Sequence, residues 1–329
     1  TYYMGSLLSG GGSTPSINEP SHWIDMINGY QTEAMKNEIP LIYGIDAVHG
    51  HNNAYGAVIF PHNIGMGCMR DVSLVEKAAR VTAIEMSETG THWNFAPCVA
   101  VARDIRWGRT YESYSEDPTI VSQCGEAFVK GLQGTNLSDA TSIVACAKHF
   151  VGDGGTEGGI NEGNTQLSES ELRRIHLPGY EATIKAGVRT VMVSFSSWNN
   201  TKLHAHKYLV TDVLKNELGF KGFVVSDWGG VSKITVDEKS AIEQAINAGI
   251  DMVMVPQHYQ SFTKNLKELV SDGKISTERL NDAVKRILTV KFEKGLFENP
   301  YPTQSNSSKF GCSEHREIAR ECVRKSIVL

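Results

Sequence analysis

Long apolar runs are missing from this 329-residue sequence. No stretch approaches the roughly 18 consecutive apolar residues of a spanning helix, so membrane insertion is not expected. The opening TYYMGSLLSGGG also lacks the charged start and apolar core of a signal peptide. Dense Lys/Arg blocks are missing too. With 32 basic against 37 acidic residues the net charge is -5, which argues against nucleic acid or an anionic membrane as a principal partner. Small neutral substrates fit better. The six cysteines, at positions 68, 98, 124, 146, 312 and 322, form no Cys-x-x-Cys pair. Neither a zinc site nor a redox motif is therefore expected, and no metal or other cofactor is called for. The cysteines are read as core thiols.

What is present is the make-up of a soluble globular protein: 40% hydrophobic residues, 21% charged, 31 glycines and 10 prolines, neither fibrous nor disordered. The length allows one large α/β barrel or two ordinary domains. Short β-rich runs recur as MGSLL, LIYGI, WNFAPC, SIVACA, RTVMVS, GFVVS and DMVMV. Helical signals lie between them. WIDMINGYQTEAM is one such segment, Ser73-x-x-Glu76 reads as a capping box for a helix stopping near Gly90, and Asp117-Pro118 reads as an N-cap followed by proline. Ser168-x-x-Glu171 is a second capping box, and Ser276 caps a later helix. Alternating buried strands and helices imply a parallel sheet, because parallel neighbours need a crossover.

The expected fold class is therefore α/β, a (β/α)8 TIM-type barrel. Seven runs are one short of eight, and the first begins at Met4, so the remaining strand is expected upstream of Thr1. An open, doubly wound sheet is the alternative, but its Gly-x-Gly-x-x-Gly after a first strand is missing, and LSGGGSTPS is read as a flexible loop. Residues 1–297 would form the barrel. Residues 298–329 would be a linker rich in Pro, Ser, Asn and Gly, with the start of a helix leading toward a second domain. Asn-x-Ser/Thr sequons at Asn136, Asn199 and Asn306 hint at a secretory, lysosomal, vacuolar or periplasmic location.

One short stretch, GFVVSDWGG from Gly222 to Gly230, poses a physical problem. Phe223, Val224 and Val225 read as a buried strand, and a lone carboxylate just past them, Asp227, should be costly to bury. In an α/β barrel the chemistry collects at the C-terminal ends of the strands. There Asp46 and His49 follow LIYGI, Lys148 and His149 follow SIVACA, Phe195 and the SSW segment follow RTVMVS, and Asp227 and Trp228 follow GFVVS. Taken singly, Asp46 could cap a turn, Lys148 could pair with a structural carboxylate and His149 could be a core histidine. Their shared position favours one pocket. An ionised aspartate beside a tryptophan, ringed by hydrogen-bonding groups, suits a sugar, whose rings stack on aromatics and whose hydroxyls suit Asp, Lys, Arg and His. A retaining glycosidase uses one carboxylate as nucleophile and a second carboxyl as general acid/base, roughly 5 to 5.5 Å away.

At these residues the sequence resembles glycoside hydrolase family 3, above all its β-glucosidases and β-glucan exohydrolases. The segments SLLSGGGS, IYGIDAVHG, FAPC, RDIRWGRTYESYSEDP, AKHFVGDGG, VMVSFSSW, GFVVSDWGG, AGIDMVMVP and KGLFENPY carry the resemblance in family order. It implies hydrolysis of terminal β-D-glucosyl residues from a β-glucoside or β-glucan oligosaccharide, with Asp227 as the nucleophile that forms a glycosyl-enzyme. It further implies that Asp46, Arg109, Lys148 and His149 hold sugar hydroxyls, that Trp228 walls the adjoining subsite, and that Met192 and Met254 line the pocket. Ordinary core packing is the alternative for both methionines. Glu162 would orient the cations from a second layer.

The N-acetylglucosaminidase branch is a poorer match, because the loop FVGDGGTEGGINEGN has no Asp-His dyad. Three departures from the family follow from the same resemblance. Phe195 stands where a tyrosine hydroxyl helps hold the nucleophile, a loss of about 1.5 to 3 kcal/mol at that contact. The first barrel strand is not found. The acid/base glutamate of the β-glucosidases would come from a second domain or another chain completing the active site. Glu112, Asp153 and Glu162 are the nearest substitutes by motif position. Two other readings stay open, a sugar-binding relative without an acid/base and a structural subunit.

Overall fold

The computed structural model describes residues 3–10, 12–303 and 308–328. Asn306 and its sequon lie outside them. Among the described residues nine strands are formed: β1 (Ser6–Ser9), β2 (Ile42–Ile45), β3 (Trp93–Asn94), β4 (Cys146–Phe150), β5 (Asn164–Thr165), β6 (Thr190–Val193), β7 (Ser197–Trp198), β8 (Thr201–Lys202) and β9 (Phe223–Val225). The helices are α1 (Pro20–Met35), α2 (Asn63–Cys68), α3 (Val72–Ser87), α4 (Pro118–Gln133), α5 (Glu169–His176), α6 (Pro178–Lys185), α7 (Glu238–Ala248), α8 (Tyr259–Ser271), α9 (Thr277–Glu293) and α10 (Ser313–Ser326), with a π-helical segment at Tyr208–Glu217. None is long and apolar enough to cross a membrane.

All seven β-rich runs hold a parallel segment. β1 pairs with β2 and β2 with β3. Bridges at Trp93–Val144 and Cys98–Lys148 carry the parallel pairing on to β4, β4 pairs with β6, β6 with β9, and a Val225–Met252 bridge adds the DMVMV run. The segments follow one another in chain order, without the reversal that marks a doubly wound sheet. The fold class is thus α/β with parallel sheets and intervening helices. Among the described residues no pairing joins β1 to the DMVMV run, so the pairings do not record the closed barrel anticipated above.

Alternation along the strands explains the unbroken apolar runs. Phe223 and Val225 face an inner cluster with Ile42, Trp93, Val144, Cys146 and Met192, whereas Val224 joins the outer cluster with Tyr43, Val191 and the helices. α9 completes the inner cluster through Val290 and, at its edge, Ile287. It lies against the N-terminal ends of the strands. The buried Lys291 ammonium donates to Gly5 O (2.8 Å) and Pro40 O (2.7 Å), and Arg286 donates to Phe220 O and Gly222 O. Gly222 must be glycine, because a Cβ there would stand 1.9 Å from Arg189 O on the approach to β6. α10 packs on α2 and α3, where the buried Glu85 carboxylate accepts from Val58 N, Gly311 N and His315 Nδ1.

The caps bear out most local expectations. Asp117 caps α4 with Pro118 at its first turn, Ser168 and Glu171 form a capping box on α5, and Ser276 caps α9. α3 differs. Its N-cap is Asp71, whose carboxylate accepts from Leu74 N at 3.0 Å, and Ser73 sits inside the first turn donating to that same carboxylate. An aspartate two positions earlier won because its oxygen reaches the free amides directly. The cysteines also divide: Cys98, Cys124, Cys146 and Cys322 are buried, but Cys68 is exposed and Cys312 half-buried, so those two are not core thiols. A small third sheet, β5 parallel to β7 and β7 antiparallel to β8, ties the loops that follow β4 and β6.

Candidate active site

The C-terminal ends of β1, β2, β4, β6 and β9 open into a cavity of ≈ 440 Å³. Eight residues singled out in the sequence line it: Asp46, Arg109, Lys148, His149, Met192, Asp227, Trp228 and Met254, joined by Leu8, Gly10, Ser13 and Phe95. Met192 and Met254 both line the cavity and belong to the inner core cluster, so the two readings of these side chains hold together.

Both cations of the wall, Lys148 and Arg109, have counterparts. Lys148 is 4% exposed and donates to Asp46 Oδ1 at 2.8 Å, whereas the Asp46 side chain is 44% exposed and faces the cavity. Burial by itself would push the Lys148 proton off, but Asp46 and Glu112 outweigh it and raise the pKa above the ordinary lysine value. Arg109 grips Glu112 with both arms of its fork, Nε to Oε1 at 2.6 Å and Nη2 to Oε2 at 2.9 Å. That pairing holds Glu112 below the usual carboxylate range against the opposing effect of burial. Arg109 Nη2 also lies 3.0 Å from His149 Nε2, and His149 Nδ1 lies 2.9 Å from Asp153 Oδ2. The 148–149 and 150–151 peptides at this turn are cis.

Asp227 sits where β9 ends. Its Oδ1 accepts from Trp228 N at 2.7 Å, its own amide donates to His204 Nε2 at 3.1 Å, and Ser226 Oγ accepts from Met254 N. Gly230 leaves room for that imidazole, since a Cβ would come within 2.3 Å of His204 Nε2. Among the described residues Asp227 Oδ2 has no hydrogen-bond donor, and the nearest ring nitrogen, His149 Nε2, is 3.8 Å away. Burial raises the Asp227 pKa, while the Trp228 amide, Lys148 and Arg109 oppose the shift. Trp228 beside it is 54% exposed, an open aromatic face at the mouth. The Trp228 amide and the nearby Lys148 and Arg109 thus offset part of the cost of burying Asp227, and burial still holds its pKa above the ordinary value.

Glu162 falls outside this arrangement, and Phe195 does not line the cavity, its ring lying 6.1 Å from that of His204. Glu162 does not reach Arg109 or Lys148; its carboxylate pairs with Lys233 at 2.5 Å, and that ammonium stands 4.0 Å over the Phe195 ring. The carboxylates that orient the site's cation and histidine are instead Glu112 and Asp153. Neither lines the cavity. Glu112 spends both oxygens on Arg109, and Asp153 is buried behind His149 with Oδ1 unpartnered among the described residues. The Arg109–Glu112 spacing of three residues on a short turn was a readable signal. His204, which anchors the Asp227 amide from a loop 23 residues earlier, carried none.

The model of the glycosyl hydrolase family 3 N-terminal domain matches residues 1–290. The chain belongs to glycoside hydrolase family 3. It is 39% identical to a lysosomal beta glucosidase of Dictyostelium discoideum, over all of this chain and 43% of that protein, and 35% identical to a periplasmic beta-glucosidase of Salmonella typhimurium, over 89% of this chain and 39% of that one. Among solved structures, an exo-1,3/1,4-beta-glucanase from a Pseudoalteromonas species superposes with a TM-score of 0.94 at 45% identity, covering 99% of this chain and 43% of that one. A beta-glucosidase from Listeria innocua in complex with glucose superposes at 0.88 with 33% identity, covering 98% and 44%. This family 3 chain therefore spans less than half the length of these relatives.

Proposed function

We propose that this chain is the sugar-binding, nucleophile-bearing part of a retaining β-glucosidase acting on terminal β-D-glucosyl residues of glucosides or β-glucans. One observation carries the reading: a carboxylate oxygen, Asp227 Oδ2, stands free on the cavity wall beside an open tryptophan face, with the Lys148–Asp46 and Arg109–Glu112 pairs around it. Asp46, Lys148 and Arg109 bind hydroxyls of the innermost glucose, His149 holds Arg109 in place among them, Trp228 stacks on the next ring, and Met192 with Met254 shape the apolar wall. Asp227 attacks the anomeric carbon as the bond to the leaving oxygen breaks, and water later releases the sugar with retained configuration.

The leaving oxygen also needs a proton. Of the two carboxylates on the cavity wall Asp46 is engaged by Lys148 and Asp227 attacks, so the acid is assigned to a group outside this wall, in a further domain or chain. In this reading residues 1–297 form a (β/α) barrel and residues 298–329 a linker and helix, with α10 packed back on α2 and α3, and the lysosomal and periplasmic names of the relatives favour a location outside the cytosol.

A paired assay tests the reading. A glucoside with a very good leaving group should turn over while an alkyl glucoside reacts poorly, since general-acid help matters least when the aglycone departs readily. Asp227→Ala should lower turnover of the activated substrate by about three orders of magnitude or more, the scale of losing a covalent-catalysis residue. Unchanged turnover in that variant contradicts the assignment. Glucose binding with no turnover of either substrate supports a binding protein instead.

A further inference from the structure

Asp153 lies four residues after His149, on the turn that leaves β4, and is 7% exposed. The hydrogen-bond roles on the His149 ring follow from its partners. A guanidinium N–H can only donate, so Arg109 Nη2 at 3.0 Å requires a bare lone pair on His149 Nε2. Burial beside Arg109 and Lys148 holds the ring pKa well below 6.5, so the neutral ring carries a single proton. That proton is on Nδ1, aimed at Asp153 Oδ2 2.9 Å away.

We infer that Asp153 fixes His149 in its Nδ1–H tautomer and thereby acts as a positioning residue for Arg109 and for the attacking oxygen of Asp227. The inference rests on the reading of Asp227 as nucleophile. In the opposite tautomer, Nε2–H would confront the Arg109 donor at 3.0 Å, and its closest carboxylate acceptor would be Asp227 Oδ2 at 3.8 Å. A small turn of the ring would then tie up the oxygen that has to attack and free one arm of Arg109. With Asp153 in place, Nε2 presents only a lone pair to Oδ2, which stays available, and the guanidinium is pinned between Glu112 and His149. The other charged groups around the ring, Lys148 and Glu112, are held in pairs of their own. Asp153 does not line the cavity, so it acts through His149 alone.

15N NMR of the protein with labelled imidazoles reads the tautomer directly, with the His149 signals assigned through His149→Gln. At neutral pH Nδ1 should be protonated and Nε2 bare. In Asp153→Ala the two His149 nitrogens should shift toward a mixture of tautomers while the signals of His92 and His51 stay in place. Labelling of Asp227 by an activated fluoroglucoside should slow by about 10- to 100-fold, by analogy with the outer partners of metal-bound histidines. A proton on His149 Nε2 in the unsubstituted protein overturns the inference and needs no variant to fold. So does an Asp153→Ala protein that keeps Nδ1–H or labels at an unchanged rate. Should the unsubstituted protein take up no label at all, the nucleophile reading fails, and the NMR still decides the tautomer.

Discussion

At Asp227 two influences compete, and their balance is measurable. Removal from water favours the neutral acid, while the Trp228 amide and the nearby Lys148 and Arg109 favour the carboxylate; Asp46 adds to the first side. Burial wins, and the pKa stands above the ordinary aspartate value of 3.8. In the proposed function only the ionised form attacks, so activity should fall as pH drops through this raised pKa. We expect the acid limb of kcat/KM for an activated glucoside to lie above 3.8 and to report the free enzyme. A limb at or below that value contradicts the balance. At this scale much was legible, because polar residues following apolar runs mark strand ends whatever the closure of the sheet. What stayed hidden were partners distant in the chain: His204 under the Asp227 amide, and Lys233 drawing Glu162 away from the site. Such pairings depend on where loops cross, which no local pattern encodes.

Among the elements, α3 separates two explanations for one helix start. Asp71→Ala should destabilise the protein by about 1 kcal/mol, the usual worth of an N-cap oxygen, whereas Ser73→Ala should cost no more than a few tenths. Midpoints of urea unfolding compare the two directly, and the reverse order would restore Ser73 as the cap. The seven parallel segments were readable because both faces of each are covered, which leaves continuous apolar runs. β5, β7 and β8 were not, since each pairs only two residues, and Asn164 meets Ser197, which lies 33 positions later in the chain. α9 was foreseen as a helix from its cap and apolar spacing. Its place against the N-terminal strand ends, with Lys291 bonded to Gly5 O and Pro40 O, became visible only in three dimensions.

Over the whole molecule, buried histidines dominate the response to acid. His51, His92 and His204 are held neutral by burial with pKa values near 3, His176 near 4, and His149 well below 6.5. Each takes up a proton on unfolding once the pH is below about 6.5 and resists doing so while folded. Stability is therefore lost as pH falls through that window, by up to about 1.4 kcal/mol per unit for each ring. Asp153, raised to about 7, and Asp227 act in the opposite sense, because their folded forms bind protons more tightly than the unfolded chain does. Five rings against two carboxyls leave a net loss. The thermal midpoint should drop steadily from pH 6.5 toward pH 4; a midpoint that rises over that range would contradict the burial of these rings. Among the described residues the fold delivers an unpaired carboxylate oxygen, Asp227 Oδ2, to a cavity of ≈ 440 Å³. Reaction with an activated 2-deoxy-2-fluoroglucoside, followed by proteolysis and mass spectrometry, shows whether that oxygen is the nucleophile. A single fluoroglucosyl ester on Asp227 is expected; a label on another carboxylate, or one that persists in Asp227→Ala, would overturn the assignment.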